Sequence, residues 1–97
     1  MKIFSWNEDK NKWIKHERGV SFEQVVFCIE NGKLIDIIKH PNQKKYKGQR
    51  FYVVDIDNYV FIVPYVESEN GIYLKTVFPS RKYTKMYLHM GIKNETV

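Results

Sequence analysis

The sequence has few of the residues that mark secreted or membrane proteins. It contains one cysteine, Cys28, so no disulfide can form within the chain, and this favours a reducing compartment. No apolar run is long enough to cross a bilayer. The segment from Lys2 to Trp6 is followed by polar residues, whereas a signal peptide would continue with an apolar core. We therefore expect a cytoplasmic protein that does not bind membranes.

Acidic residues are absent from two long stretches, one from Lys39 to Arg50 and one from Asn70 to Asn94. The cations of these stretches are Lys39, His40, Lys44, Lys45, Lys47 and Arg50, and then Lys75, Arg81, Lys82, Lys85, His89 and Lys93. The whole chain has 16 Lys and Arg against 11 Asp and Glu, a net charge of +5. Clustered positive charge favours a polyanionic partner, above all a nucleic acid. The alternative is that the charge only keeps the protein soluble.

Motifs for metals, cofactors and nucleophilic catalysis are also missing. The three histidines lie far apart and match no zinc-ligand spacing. Asp55 and Asp57 flank one residue, but a strand end that enters a turn accounts for them. There is no glycine-rich phosphate loop and no serine nucleophile motif. Cys28 has no basic sequence neighbour that would lower its pKa, so we interpret it as a packing residue. We expect no metal and no cofactor.

Helix signals are strong at three places in what we predict to be one domain over residues 1–97. Asn7 can cap a first helix that runs to about Glu17 and ends near Gly19. Ser21 and Gln24 form a possible capping box for a second helix, which Asn31-Gly32 ends. Ser80 can cap a last helix that ends at Gly91. Its predicted apolar face consists of Tyr83, Met86, Tyr87 and Met90. The tail over residues 92–97 is predicted to be frayed.

Strand patterns fill the rest of the chain. The predicted strands are Lys2–Trp6, Leu34–Ile38, Arg50–Ile56, Tyr59–Val66 and Ile72–Phe78. Asp57-Asn58 is a plausible two-residue hairpin turn. Pro64 removes a backbone donor from its strand, so we expect a bulge or a strand end there. The order of elements predicts an α+β protein, with an N-terminal strand and two helices followed by a three- to four-stranded antiparallel sheet and a C-terminal helix.

Three segments carry a resemblance to a known family. Phe4-Ser5-Trp6-Asn7-Glu8-Asp9-Lys10 resembles the opening element of the BrnT-type toxins of bacterial type II toxin–antitoxin systems. Lys15-His16-Glu17-Arg18-Gly19-Val20-Ser21-Phe22-Glu23 resembles their second element, with two residues inserted before the glycine. Pro79-Ser80-Arg81-Lys82-Tyr83-Thr84-Lys85-Met86-Tyr87 resembles a late element that often has a Glu where this chain has Lys and Tyr. Arg50 and Phe51 also resemble the start of a family strand.

The resemblance covers residues 3 to 88 and implies a RelE-like fold. It implies an endoribonuclease that arrests translation and a cognate antitoxin, encoded next door, that silences it. Promoter DNA would be contacted only through the complex of toxin and antitoxin. The inserted residues Glu17 and Arg18 and the missing helix glutamate leave open a decayed toxin that has lost its activity.

Residue chemistry offers candidates for metal-independent RNA cleavage, which needs a base, an acid and a cation at the phosphate. His16 is a candidate proton carrier because its ordinary pKa is near neutrality, and Lys15 is the alternative. Arg81 is the first candidate to bind the scissile phosphate, and Arg50 is the second. Lys85 follows Arg81 by one helical turn and would assist it. Each of these residues could instead be an ordinary surface cation.

The remaining candidates form a basic loop around an aromatic residue. Lys44, Lys45 and Lys47 surround Tyr46, which suits phosphate contacts combined with base stacking; Lys82 would add a further RNA contact. A flexible, solvated loop is the alternative. The sequence therefore predicts an RNA-cleaving toxin whose cations converge on one pocket. A non-catalytic basic module that binds nucleic acid or an acidic protein is the rival hypothesis.

Overall fold

The computed structural model describes residues 3–89. Its helices are α1 (Glu8–Arg18), α2 (Phe22–Glu30) and α3 (Arg81–Thr84), the last of which continues into a π-helical turn (Lys85–His89). Its strands are β1 (Ile3–Ser5), β2 (Leu34–Lys39), β3 (Arg50–Ile56), β4 (Tyr59–Ser68), β5 (Gly71–Leu74) and β6 (Phe78–Pro79). The predicted helix end at Gly91 and the predicted tail at 92–97 lie outside the described residues.

The six strands form one mixed sheet in the order β1-β5-β4-β3-β2, and β6 pairs with β4. β1 runs parallel to β5, and the other pairs are antiparallel. The α+β class is confirmed. The predicted antiparallel sheet is confirmed for β2–β5, but the sheet also contains a further strand, β6, and β1 joins it in parallel, which was not predicted. The two helices and three strands between β1 and β5 form a connection long enough for a parallel pair, which a hairpin turn cannot make.

Local turn and cap signals were accurate. Asn7, Ser21 and Ser80 each cap a helix with their side chains, which accept hydrogen bonds from the backbone amides of Lys10, Gln24 and Tyr83. Asp57 and Asn58 both have positive φ, 53° and 65°, as a type I′ hairpin requires. These predictions depend on near neighbours only, and all of them are confirmed.

Pro64 lies in the middle of β4, where a ladder donor would be expected. Its carbonyl accepts a hydrogen bond from the amide of Lys75 at 2.8 Å, so its nitrogen also points to the β5 side. There the register shifts by one residue between the Tyr65–Leu74 pair of β5 and the Ile62–Phe78 pair of β6. The missing amide of Pro64 therefore falls at this irregularity, in agreement with the predicted bulge.

The sheet is covered differently on its two faces. Tyr52 and Val54 of β3 pack with Ile14 of α1 and Phe22 of α2, which defines the α1/α2 face. Phe51 and Val53 of the same strand belong to the other cluster, with Tyr83 and Tyr87, which defines the α3 face. Because side chains alternate along a strand, even-numbered residues of β3 lie on the α1/α2 face and odd-numbered ones on the α3 face.

A buried asparagine joins the first two helices. Asn11 is 4% exposed; its amide nitrogen donates to Glu23 Oε1 at 2.7 Å, and its oxygen accepts from the Phe22 amide at 2.8 Å. The Asn11 hydrogen bond is the main reason that the pKa of Glu23 is lowered from its usual value of 4.5. One side chain thus satisfies a free amide at the start of α2 and holds α1 against it.

The C-terminal helix crosses the α3 face. Its first turn is anchored at the edge of β4, where the Ser80 amide donates to the Val60 carbonyl at 2.9 Å. Further along, the Tyr87 hydroxyl donates to Asp36 Oδ2 of β2 at 2.8 Å. Tyr83 and Tyr87 pack on the sheet as predicted, but Met86 is 43% exposed and Leu88 packs instead. The π-helical turn widens the helix after Thr84 and so rotates the buried face away from the predicted spacing.

Candidate nucleic-acid interface

The two predicted phosphate-binding arginines lie on opposite sides of the sheet. Arg50 is an even-numbered residue of β3, so its side chain projects from the α1/α2 face. Arg81 begins α3, which packs on the other face. Arg50 is also at the start of β3, whereas α3 is anchored to Val60, which pairs with Asp55 near the end of that strand. The predicted convergence of these two arginines on one pocket is therefore wrong.

Arg81 and Lys85 do lie together. With Tyr59 and Thr84 they line a cavity of about 410 Å³ at the edge of β4. Thr84 is fixed there, because its hydroxyl accepts from the Val60 amide and donates to the Ser80 carbonyl. The predicted common orientation of Arg81 and Lys85 is confirmed. Lys82 points elsewhere and places its ammonium 5.6 Å from the Tyr83 ring.

The predicted proton carriers, Lys15 and His16, are not positioned near Arg81 and Lys85. Both Lys15 and His16 lie on α1, in the layer opposite α3, and neither lines the cavity of Arg81. The His16 side chain is 85% exposed, and its Nδ1 lies 2.8 Å from Glu17 Oε2. Lys15 contributes to the lowered pKa of Glu23 by its positive charge. The five residues predicted as catalytic, Lys15, His16, Arg50, Arg81 and Lys85, are thus not assembled into one centre.

The basic loop, residues 40–49, is ordered by its own hydrogen bonds. Its ends are joined by the His40 amide, which donates to the Gln49 carbonyl at 3.0 Å. Gln43 donates from Nε2 to the carbonyls of His40 and Gln49 at 2.8 and 3.2 Å. Asn42 accepts from the Lys45 amide with its side chain and from the Tyr46 amide with its carbonyl. The loop therefore has a defined conformation that fixes the side chain of Tyr46.

Tyr46 is held against the sheet by a stack of rings. Its ring lies 4.2 Å from that of His40, centroid to centroid, with 28° between the planes. His40 in turn meets Phe51 of β3 edge to face at 5.1 Å. The His40 ring is oriented by the Asn42 amide, which donates to its Nδ1 at 3.0 Å. Lys45 places its ammonium 5.3 Å from the Tyr46 ring.

Between this stack and the sheet lies a cavity of about 290 Å³ on the α3 face, which we call the ring cavity. Its apolar walls are formed by His40, Tyr46, Phe51, Pro64 and Phe78. Its polar lining consists of Gln49, Lys75 and Thr76, so no carboxylate is among the residues that form it. The cavity thus combines flat aromatic walls with a cation.

Six exposed cations lie at the end of the sheet where the basic loop joins β2 to β3. They are Lys39, Lys44, Lys45, Lys47, Arg50 and Lys75, which we call the basic end. Lys39 and Arg50 are directly opposite each other in the β2–β3 ladder, and neither has an ion pair with a described residue. Like charges in that position destabilise a sheet. A local arrangement that costs stability is a pointer to function.

Sequence reasoning found Lys44, Lys45, Tyr46 and Lys47 but missed the walls beside them. Phe51 and Phe78 look like ordinary strand residues, and His40 stood out only as a cation and a possible metal ligand. Lys75 lies far along the chain. The aromatic residues next to the basic loop, from Tyr46 to Tyr52, are a signal for Phe51, but nothing in the sequence links Phe78 or Lys75 to the loop.

Other chemistry has little support among residues 3–89. Cys28 packs half-buried against the core, and burial, followed by Asp55 and Asp57, raises its pKa, which disfavours the reactive thiolate. Burial also raises the pKa of Tyr52, so this buried phenol stays neutral. Among the described residues, no group of three or more His, Cys, Asp or Glu side chains is placed to hold a metal ion. In the same range, every helix is too short or too polar to span a bilayer.

Comparison with known proteins adds no relative: the chain matches no family model, no curated protein and no solved structure. The class of protein defined by the fold is an α+β domain with a mixed six-stranded sheet.

Proposed function

We propose that this protein binds nucleic acid, RNA in the first place, through its basic end. The observation that carries the proposal is that six exposed cations lie at the end of the sheet that the basic loop closes, with Lys39 and Arg50 on the α1/α2 face and Lys75 at the ring cavity on the α3 face. The segment between residues 37 and 54, which contributes five of the six, contains no Asp or Glu, although Glu67 follows the Arg50 partner Tyr65 by two residues on β4. Phosphates that bind between the opposed Lys39 and Arg50 would relieve their mutual repulsion, so binding and charge placement agree.

The experiment is a titration of a labelled single-stranded RNA by fluorescence anisotropy at several salt concentrations. The double variant Lys44→Glu/Lys45→Glu tests the basic loop. The double variant Lys10→Glu/Lys12→Glu is the matched control, because it makes the same change in net charge on α1, in the α1/α2 layer. We expect the loop variant to weaken binding at least ~10-fold and to flatten the salt slope by about 0.7 for each phosphate that the protein no longer neutralises. Equal effects of the two variants would show that only net charge matters.

An acidic protein is the other polyanion that the same cations could bind. A competition experiment distinguishes RNA from an acidic protein as the partner. Poly-aspartate and unlabelled RNA are both polyanions, but only RNA has phosphates and bases. RNA is expected to displace the labelled strand at a lower concentration of charge. Displacement by poly-aspartate with equal or greater efficiency would favour the protein partner.

RNA cleavage is the second candidate function, with one observation in its favour. Arg81 and Lys85 share their cavity with Tyr59, so a phosphate-binding guanidinium adjoins two groups that can carry protons. Lys15, His16 and Arg50 have no part in this version. The toxin hypothesis, with its RelE-like fold, its antitoxin partner and arrested translation, depends on this cavity and on the sequence resemblance.

Expression of the chain alone in bacteria tests the toxin hypothesis. Growth arrest that Arg81→Ala relieves, together with cleavage of RNA by the purified protein in EDTA, would support it. An Arg81→Ala variant that still binds RNA would separate cleavage from binding. Harmless expression of the wild-type chain would reject the toxin and leave the binding proposal intact.

A further inference from the structure

The ring cavity differs from the rest of the basic end because most of its lining is apolar and consists of aromatic rings. The His40–Tyr46 stack forms one wall, and Phe51 and Phe78 of the sheet contribute others. Phosphate contacts need only cations, so the rings serve no purpose in backbone binding. An aromatic wall next to cations instead fits a ligand that has both a planar ring and a phosphate.

One cation lines that cavity, and a second lies close to one of its rings. The Lys45 ammonium lies 5.3 Å from the Tyr46 ring, and Lys75 lines the cavity together with Phe78. A ring that enters the cavity would therefore have its neighbouring phosphates next to ammonium groups. In a nucleotide, the base and the phosphates are arranged in this way.

The protein's own contacts hold the cavity in shape. The Gln43 side chain bridges the two ends of the loop, and the Asn42 amide fixes the His40 ring through Nδ1. The walls on the sheet side belong to β3, β4 and β6, which are paired in one sheet. A preformed cavity avoids much of the entropic cost of ordering a loop on binding.

From these observations we infer that the ring cavity takes one unpaired nucleobase of a single strand, an inference that rests on the proposed nucleic-acid binding. A base in a duplex is stacked and paired, so it cannot enter a cavity walled by rings. Base stacking on aromatic side chains is tolerant of sequence, because every base has a flat face. The protein therefore selects single strands over duplexes and over charge-matched polymers without bases.

The test compares three probes: a twelve-nucleotide single strand, its duplex, and an abasic strand with the same number of phosphates as the single strand. The wild-type protein is expected to bind the single strand ~10-fold more tightly than the abasic one. Tyr46→Ala should weaken binding to the normal strand more than binding to the abasic strand and so remove most of that advantage. Tyr46→Phe keeps the ring and should keep the advantage. Phe27→Ala removes an exposed aromatic from α2 in the other layer and is the matched control.

The outcomes separate the two proposals. Equal binding of the abasic and normal strands by the wild-type protein overturns the base site but leaves backbone binding in place. Tyr46→Ala acting equally on both strands also overturns it, because the residue would then only support the loop. The absence of binding to every probe rejects the proposed function itself. Circular dichroism of each variant shows whether it is folded. If Tyr46→Ala does not fold, the comparison of wild-type binding to the normal and abasic strands decides whether the base site exists.

Discussion

The hydroxyl of Thr84 accepts a hydrogen bond from the amide of Val60 at 2.8 Å and thereby caps the edge of β4. Thr84 is 2% exposed, so no water can take its place. Thr84→Val keeps the shape but leaves the Val60 amide buried without an acceptor, which should lower the free energy of unfolding by ~1–3 kcal/mol. Urea denaturation measures the loss.

Thr76→Val is the control for that experiment. Thr76 is half-buried, and its hydroxyl accepts only a long hydrogen bond, 3.4 Å, from Arg18. We expect it to cost clearly less than Thr84→Val. Equal losses in the two variants would contradict the role assigned to the Thr84 hydroxyl.

Gly71 allows β1 to join the sheet. Its φ is 152°, and a Cβ added there would overlap the carbonyl oxygen of Ile3, the residue that pairs with it. Gly71→Ala should therefore separate β1 from β5 and destabilise the protein by ~1–3 kcal/mol. Hydrogen exchange would show the loss as faster exchange confined to β1 and β5. Gly32→Ala, which has a positive φ but meets no atom, should leave these amides protected.

The link between Asn11 and Glu23 should make stability depend on pH. The pKa of Glu23 is lowered in the folded protein, chiefly by the Asn11 hydrogen bond, so its carboxylate stabilises the fold above its unfolded value of about 4.5. That contribution is lost as the pH falls through the folded pKa. Glu23→Gln should be less stable than wild type at neutral pH and approach it as the pH falls below the folded pKa of Glu23. A difference that does not change with pH would contradict this link.

The pair of Lys39 and Arg50 should make the protein less stable but a better binder of RNA. Lys39→Glu replaces a repulsive cross-strand pair with an attractive one, so it should raise the free energy of unfolding by ~0.2–1 kcal/mol. The same variant should weaken binding to RNA, because it removes a cation from the basic end. Denaturation and anisotropy on one sample measure both effects. A variant that is less stable than wild type would show that the two side chains do not repel each other.

Much of the fold could be predicted because its signals are local. The caps at Asn7, Ser21 and Ser80 and the turn at Asp57-Asn58 depend on residues within one turn of each other. The parallel pairing of Ile3 with Gly71 and the division of the last predicted strand into β5 and β6 were not predictable in this way. They depend on contacts between residues that are far apart in the chain.

The chain by itself determined the helices, the hairpin and the two acid-free stretches, because each is a property of neighbouring residues. Only the tertiary structure decided which cations share a surface. Side chains alternate between the two faces along β3, so Arg50 lies on the α1/α2 face. The C-terminal helix crosses the opposite face, so Arg81 lies there. The same alternation turns Phe51 toward His40 and Tyr46, so the aromatic cavity exists only once the strands have paired.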